Sequence, residues 1–231
     1  MTTPSVLAAG LLAAALLPSV ALAQKPPKDP KPVTPPKGAA ALTLAAKPNP
    51  VVFTRPVVLS GKLSGVNPDN GVTVRLERDD TRPFGDSYKP TGLTATTANG
   101  GRYSFTLKPA RNTQYRAIAK ASPTVTSAPR LVLVRPLVGL RVSTRSPRAG
   151  RLVRFSGIVL PARDGATALV QRRTSTGRFV TVRRTRLRDS SPGSKYSVRV
   201  RVRSSGAYRV KLPGTPELVN GFSRTVKLTT R

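Results

Sequence analysis

The stretch YSVRVRVRSSGAYRV, residues 196–210, decides the fold because apolar and polar residues alternate along it without interruption. One parity carries Tyr196, Val198, Val200 and Val202, and the other carries Ser197, Arg199, Arg201 and Arg203. Alternation with a period of two is typical of a β-strand that buries one face and exposes the other. The sequence therefore predicts a strand whose valines enter a core and whose arginines face solvent.

The same pattern occurs once before in the chain. GRYSFTLKPARNTQYRAIA, residues 101–119, matches SKYSVRVRVRSSGAYRVKL, residues 194–212, and LSGKL, residues 59–63, matches FSGIV, residues 155–159. The copies are 96 residues apart at the glycine of the shorter motif and 93 apart at the tyrosines of the longer one. Such a repeat has the size of a domain, because solenoid units have roughly 20–50 residues. We therefore predict two tandem domains, residues 39–135 and 136–231.

Short runs rich in Val and Tyr, separated by turn sequences, fill both copies. The turns are marked by NPDNG, ANGG, ARDG, TSTG and SSPG, and no segment after Pro18 has the 3.6-residue period of an amphipathic helix. About seven short strands with one apolar face are typical of an antiparallel β-sandwich. The predicted fold class is all-β, with two tandem antiparallel Ig-like β-sandwich domains. The second core is expected to include Phe155, Val198, Val200, Tyr208 and Val210.

The N-terminal segment has the features of an export signal. VLAAGLLAAALL, residues 6–17, is an apolar run shorter than the about 20 residues that span a bilayer, and ALA precedes Gln24 as at a cleavage site. We predict a signal peptide at residues 1–23, with an uncleaved anchor as the alternative. A Pro/Lys-rich linker in extended conformation follows at residues 24–38. The mature protein is expected to have no transmembrane segment and to be secreted, either extracellular or in the cell envelope.

The strand and turn motifs resemble those of bacterial Ig-like and carboxypeptidase-regulatory-like β-sandwich modules, which occur in tandem on secreted and surface proteins. The resemblance is carried by LSGKLSG, GVTVRLER, TANGGRYSFTL and NTQYRAIA, and by FSGIV, KYSVRV and GAYRVKL in the second copy. It implies adhesion, spacing or ligand presentation, not catalysis. It also implies that Tyr115 and Tyr208 are tyrosine corners, whose hydroxyls bind backbone upstream.

The composition excludes several kinds of site. The chain has no Cys and no His, so disulfides, thiolate chemistry, zinc sites of the usual ligand types and His-based triads are all absent. The nine Asp and Glu residues show no paired arrangement suited to glycoside hydrolysis. We therefore predict a protein that is not an enzyme and that has no cofactor and no metal. The expected function is an extracellular adhesion, spacer or envelope-associated binding module.

Positive charge suggests a second function. The chain carries 40 Lys and Arg against 9 Asp and Glu, and residues 136–231 alone carry 22 against 3. The alternative function is electrostatic binding of a polyanion, whether an acidic wall polymer, an anionic lipid or a nucleic acid, through the second domain. The residues predicted to bind it are Arg184, Arg186, Arg188, Arg199, Arg201 and Arg203. Arginines that are only solvated on an exposed face remain the competing interpretation.

The longest loop of the first domain, residues 79–90, is the best place for a specific contact. It carries three acids, and the second copy has only the short TSTG in its place. Binding residues often lie on loops that a rigid sheet positions. The predicted contact residues are Asp79, Asp80, Phe84, Asp86 and Tyr88, and the alternative is a plain solvated loop.

Overall fold

The computed structural model describes residues 38–231, which form one compact unit. The predicted signal peptide and all of the predicted linker except its last residue lie outside the described residues. Between 38 and 231 the chain contains strands and turns and no helix. It follows that no helix in this part of the chain is long and apolar enough to cross a membrane. The prediction of an all-β chain is confirmed for this part.

The first half of the described chain, residues 38–135, forms two antiparallel sheets. Its strands are β1 (Ala41–Leu42), β2 (Ala45–Lys47), β3 (Val51–Val52), β4 (Val57–Ser64), β5 (Thr73–Asp79), β6 (Lys89–Thr96), β7 (Arg102–Leu107), β8 (Thr113–Ala119), β9 (Val125–Thr126), β10 (Arg130–Val132) and β11 (Val134–Arg135). Sheet one contains β4 with β1, β2 and β7 paired to it. Sheet two has β5 between β6 and β8, and β9 and β10 also pair with β8. A short parallel pair joins β3 to β11.

The second half, residues 136–231, repeats this arrangement. Its strands are β12 (Leu137–Val138), β13 (Arg141–Val142), β14 (Arg151–Leu160), β15 (Thr167–Arg173), β16 (Phe179–Arg186), β17 (Arg188–Ser190), β18 (Gly193–Val202), β19 (Gly206–Leu212), β20 (Gly221–Phe222) and β21 (Val226–Leu228). Sheet three contains β14 with β12, β13 and β18, and adds β17 on β18. Sheet four has β15 between β16 and β19, with β20 and β21 on β19.

Each half has its own hydrophobic core, built from both of its sheets. The first core includes Leu59, Leu63, Val74, Phe105 and Tyr115. The second includes Val153, Phe155, Val170, Val200 and Tyr208, with Val198 half-buried beside it. The alternation predicted for β18 is confirmed, because its valine parity faces this core and its arginine parity is exposed. The exact domain boundaries stay a prediction.

A contact between a glycine and a tyrosine explains why both copies have a glycine in the repeated Ser-Gly motif, at Gly61 and at Gly157. The Tyr196 hydroxyl donates to the Gly139 carbonyl at 2.6 Å, directly over Gly157. In the first half the Tyr103 hydroxyl donates to the Thr43 carbonyl in the same way, over Gly61. A Cβ at either glycine would overlap that carbonyl oxygen. Only glycine therefore allows the tyrosine to fix the first strand of each half onto its sheet.

The prediction that Tyr115 and Tyr208 bind upstream backbone was wrong. Within residues 38–231 the structure gives this bond to the other tyrosine of each pair, Tyr103 and Tyr196. The reason is that β7 and β18 belong to the same sheets as the first strands of their halves, whereas β8 and β19 belong to the opposite sheets.

We expect alkaline solution to destabilise the protein through these two hydroxyls. Burial raises the pKa of Tyr103 and of Tyr196 well above the ordinary value of 10. Because the folded chain holds these protons more tightly than the unfolded chain, their stabilisation is complete below pH 10 and is lost as the pH rises beyond it. Urea unfolding between pH 8 and 11 should therefore show a smaller loss of stability in Tyr103→Phe/Tyr196→Phe than in the wild type. Parallel pH profiles would contradict this account.

In each half a buried serine lies between the last two short strands and binds the strand with which both of them pair. Ser127 lies between β9 and β10, which pair with β8, and Ser223 lies between β20 and β21, which pair with β19. The Ser127 hydroxyl accepts the N–H of Ala117 at 2.9 Å, and the Ser127 N–H donates to the Ala117 carbonyl at 2.9 Å. Ser223 forms the same pair of bonds with Val210, both at 2.9 Å. Each hydroxyl thus accepts a backbone N–H of the neighbouring strand at the point where the interruption leaves no backbone carbonyl to accept it.

The two halves are joined by the loop between β19 and β20, residues 213–220. Leu218 in this loop is only 5% exposed and lies in the core of the first half, although it belongs to the second. The Asn112 N–H donates to the Glu217 carbonyl at 2.7 Å, and the Asn112 side-chain amide donates to the Pro216 carbonyl at 3.2 Å. The Val219 N–H donates to the Val134 carbonyl at 2.8 Å. The loop therefore completes both the core and the backbone hydrogen bonding of the first half.

Candidate functional site

The structure divides the six arginines of the predicted polyanion site between two sheets. Arg184 and Arg186 lie on β16 in sheet four, whereas Arg188, Arg199 and Arg201 lie on β17 and β18 in sheet three. Arg203 follows the end of β18. Leu187, between the two groups, is buried in the second core, because the chain crosses there from one sheet to the other. The six residues therefore do not form one continuous face.

The outer side of sheet three brings together three of these residues and three others. We call this surface the basic face, and its members are Arg141, Arg154, Arg188, Lys195, Arg199 and Arg201, all of them exposed. The β-sheet register aligns them: Arg154 lies opposite Arg199, Lys195 lies opposite Arg188, and Arg141 lies opposite Ser156. Cations on four neighbouring strands thus point to the same side.

No carboxylate neutralises the basic face. Asp189 is the one acid on the strands of sheet three, and it lies on the other parity, opposite Ser194. Within residues 38–231, none of the 22 cations of the second half forms an ion pair with a carboxylate of the described chain. By contrast, Glu77 in the first half pairs with Arg116 at 2.8 Å and with Arg75 at 3.4 Å. The second half therefore exposes uncompensated positive charge.

An arginine held between two aromatic rings lies on the outer side of sheet four. The guanidinium carbon of Arg209 is 3.8 Å from the ring centre of Phe179 and 4.3 Å from that of Phe222. Its Nε donates to the Gln171 side-chain oxygen at 3.0 Å. Contacts of this kind between a cation and a ring are favourable by roughly 0.5–2 kcal/mol. They hold Arg209 along the sheet surface.

The first half also has an arginine held against an aromatic ring, but there a carboxylate neutralises the charge of the arginine. Arg116 lies 4.0 Å from the ring centre of Tyr88, and its Nε donates to the Glu77 carboxylate at 2.8 Å. In the second half, Gln171 takes the place of this glutamate opposite Arg209. An amide accepts the hydrogen bond but carries no negative charge. This exchange adds to the positive charge of the second half.

Asp79, one of the predicted contact residues, holds its own loop. Its buried carboxylate accepts backbone N–H groups of Gly85 at 2.6 Å, Thr81 at 3.0 Å and Ser87 at 3.3 Å. Burial by itself raises the pKa of Asp79, but these bonds outweigh it and lower the pKa below the ordinary value. Since its oxygens are bound to the loop backbone, Asp79 shapes the loop.

The other four predicted loop residues differ in accessibility. The Tyr88 hydroxyl donates to the Gln114 side-chain oxygen at 2.6 Å, which fixes Tyr88 against the sheet. Asp86 is exposed and accepts a bond from the Ser87 hydroxyl at 2.9 Å. Asp80 and Phe84 border a cleft of about 310 Å³ that Arg111, Asn112 and Glu217 also line, beside the junction of the halves. Asp80, Phe84 and Asp86 thus remain open to a contact.

No group of three or more Asp or Glu residues within 38–231 lies close enough to hold a metal ion.

Sequence reasoning missed three residues that the structure makes prominent. Arg154 and Arg209 were passed over because their partners come from strands distant in the sequence. Leu218 was passed over because an apolar residue in a loop gives no periodic signal. A signal for Leu218 exists in the repeat itself: the copies are 93 residues apart at the tyrosines but 96 apart at Ser127 and Ser223. Three extra residues therefore lie in the loop that carries Leu218.

Comparison with solved structures identifies a similar repeat region in an adhesion protein. The chain is similar to the tetra-tandem repeat in the extending region of a large adhesion protein, with 16% sequence identity and a TM-score of 0.34. The match covers 82% of this chain and 49% of that one, so the chain spans about half of the length of that structure. No protein-family model matches the chain. No curated protein matches it either.

Proposed function

We propose that this chain is an exported, non-enzymatic protein of two tandem Ig-like sandwiches, which acts outside the cytoplasm as an adhesion, spacer or envelope-associated binding module. The observation that carries the proposal is the junction of the two halves. Leu218 of the second half is buried in the first core, and Asn112 is bonded to the same loop. Two sandwiches joined by a loop of one that is buried in the core of the other hold their outer surfaces at a fixed separation, which suits a spacer or a surface module.

The strand order supports the Ig-like assignment. In each half, the first two short strands pair with one sheet and the last two short strands pair with the other, and both sheets contribute to one core. Antiparallel sheets packed in this way around a core of alternating residues are the architecture of Ig-like sandwiches. The parallel contact of β3 with β11 attaches the beginning of the first half to its end.

The buried polar groups support a structural role. The hydroxyls of Tyr103, Tyr196, Ser127 and Ser223 bind backbone groups between strands, and the carboxylate of Asp79 binds the backbone of its loop. A general acid, base or nucleophile has to reach a substrate. These buried groups are instead occupied in holding strands and loops together.

Export is tested by locating the protein in the cells that make it. We expect mass spectrometry of the protein from the envelope or the medium to identify an N-terminal peptide that begins at Gln24, as glutamine or pyroglutamate, because the small residues before it form the predicted cleavage site. The control is a chain lacking residues 2–17, which should remain in the cytosol. Recovery of the wild-type chain from the cytosol with residues 1–23 still attached would refute the proposal.

A further inference from the structure

We propose that the basic face of sheet three binds a linear polymer of phosphodiester groups that runs along β18. This inference goes beyond the proposed function, which assigns no ligand to this face. The binding groups are Arg154, Arg199 and Arg201, with Lys195 at the far end of the row.

The strongest indication is the direct opposition of Arg154 and Arg199. Side chains opposite each other in an antiparallel pair have Cβ atoms about 4.5–5.5 Å apart, and like charges in such positions are destabilising. The register places these two arginines opposite each other, and neither forms an ion pair within the described chain. The arrangement therefore weakens the fold unless an anion lies between or above the two side chains.

The first half shows that the fold does not require this pair. The equivalent positions, counted from the glycine and tyrosine that each half repeats, are Val58 and Thr106, which also lie opposite each other. A neutral pair thus supports the same strand pairing in the same chain. Departures from local stability rules of this kind concentrate at functional sites. Two arginines at this place are better explained by a ligand than by the fold.

The spacing of the cations favours an extended polymer over a small anion. Alternate residues on a strand are about 6.6–6.8 Å apart and lie on the same side. The exposed side of β18 therefore carries a row formed by Lys195, Ser197, Arg199 and Arg201. The planar fork of arginine binds phosphate oxygens in pairs and stays charged at every accessible pH. A chain with repeating phosphates can contact the cations of this row in succession. A single phosphate would use only one or two of them.

The exposed aliphatic residues favour a polymer over a lipid surface. Leu152 and Ile158 are each 53% exposed on β14, but Arg154 and Ser156 separate them on the same side of the strand. A surface that inserts into a bilayer needs a contiguous apolar area. The register also places a cation directly opposite each of them, Arg201 opposite Leu152 and Lys195 opposite Ile158, so the aliphatic side chains do not form a contiguous area.

The test measures binding of the full chain to a fluorescein-labelled single-stranded oligodeoxynucleotide of mixed sequence. This probe represents a phosphodiester chain without a particular base sequence. Arg154→Val/Arg199→Thr introduces the residues of the first half at both positions. We expect at least ten-fold weaker binding at 0.15 M salt. The slope of log K against log salt should become shallower by about 1.4, because each lost phosphate contact accounts for about 0.7.

A stability measurement separates binding from folding. Removing the opposed charges should raise the melting temperature of the same variant by about 1–3 °C. Weaker binding by a more stable protein is the combination that a purely structural role of the two arginines does not produce. Arg154→Lys/Arg199→Lys keeps both charges and should keep the wild-type salt slope while it loses affinity.

The matched control removes two charges from the other sheet. Arg184→Thr/Arg186→Thr, on sheet four of the same half, should weaken binding less than three-fold. An equal loss in this control would overturn the proposal in favour of diffuse charge attraction. Unchanged binding by the Arg154→Val/Arg199→Thr variant would overturn it as well. So would tighter binding to vesicles of equal parts phosphatidylglycerol and phosphatidylcholine than to the oligonucleotide at equal phosphate concentration.

Discussion

Replacing Gly157 with alanine is expected to destabilise the second half of the protein strongly. The added Cβ would overlap the carbonyl oxygen of Gly139 and lie 2.9 Å from the hydroxyl of Tyr196. Neither group can move away easily, because they are bonded to each other and Gly139 is held on β14 by its own N–H. Overpacking costs about 1–3 kcal/mol, and the upper end is expected here because the overlap is with backbone. Such a loss is a large share of the roughly 5–15 kcal/mol that stabilises a domain.

Urea unfolding followed by circular dichroism measures this loss, and hydrogen exchange of β14 and β18 assigns it to the second half. The matched control is Gly206→Ala, whose Cβ would lie 2.8 Å from the Nε of Arg172, a side-chain atom that can shift more readily than backbone. We expect that variant to lose less than about 1 kcal/mol. A wild-type unfolding midpoint for Gly157→Ala would show that the first strand yields to the added methyl group.

Replacing Leu218 with alanine is expected to destabilise the first half, although the residue belongs to the second. The Leu218 side chain is buried in the first core, and truncating a buried leucine to alanine costs about 2–5 kcal/mol. The loss should appear as faster hydrogen exchange in β5 and β8, the strands that carry core residues Val74 and Tyr115.

The neighbouring residue provides the control for this substitution. Val219 binds the first half through its backbone N–H, which donates to the Val134 carbonyl at 2.8 Å and which a change of side chain leaves in place. Val219→Ala should therefore leave exchange in β5 and β8 close to the wild type. Faster exchange only in the second half of Leu218→Ala would show that the Leu218 side chain does not support the first core.

Strand existence and strand parity could be predicted from the sequence, because they depend on neighbours one and two residues away. The alternation around Val200 is an example, since the buried and exposed parities follow directly from it. The role of each tyrosine could not be predicted in this way. Whether Tyr196 or Tyr208 reaches the first strand depends on which sheet its own strand joins, and two strands with the same alternation give no indication of that.

The site was harder to predict than the fold for the same physical reason. Arg186 and Arg188 are close in sequence, yet the chain changes sheets at Leu187 and sends them to different faces. Arg154 and Arg199 are 45 residues apart, yet pairing of β14 with β18 places them opposite each other. A charge pattern along the chain therefore gives the amount of charge on a domain but not its position on the surface.

The burial of Leu218 in the first core also determines when that core can be finished during synthesis. The ribosome delivers residues in order, and Leu218 emerges 84 residues after Val134, the last core residue of the first half. Until then the first half has a gap in its packing and an Asn112 without its loop partners. A nascent or truncated chain that ends before the loop should consequently carry an incomplete first half, so cells that degrade loosely packed chains would remove it and keep only the full-length product.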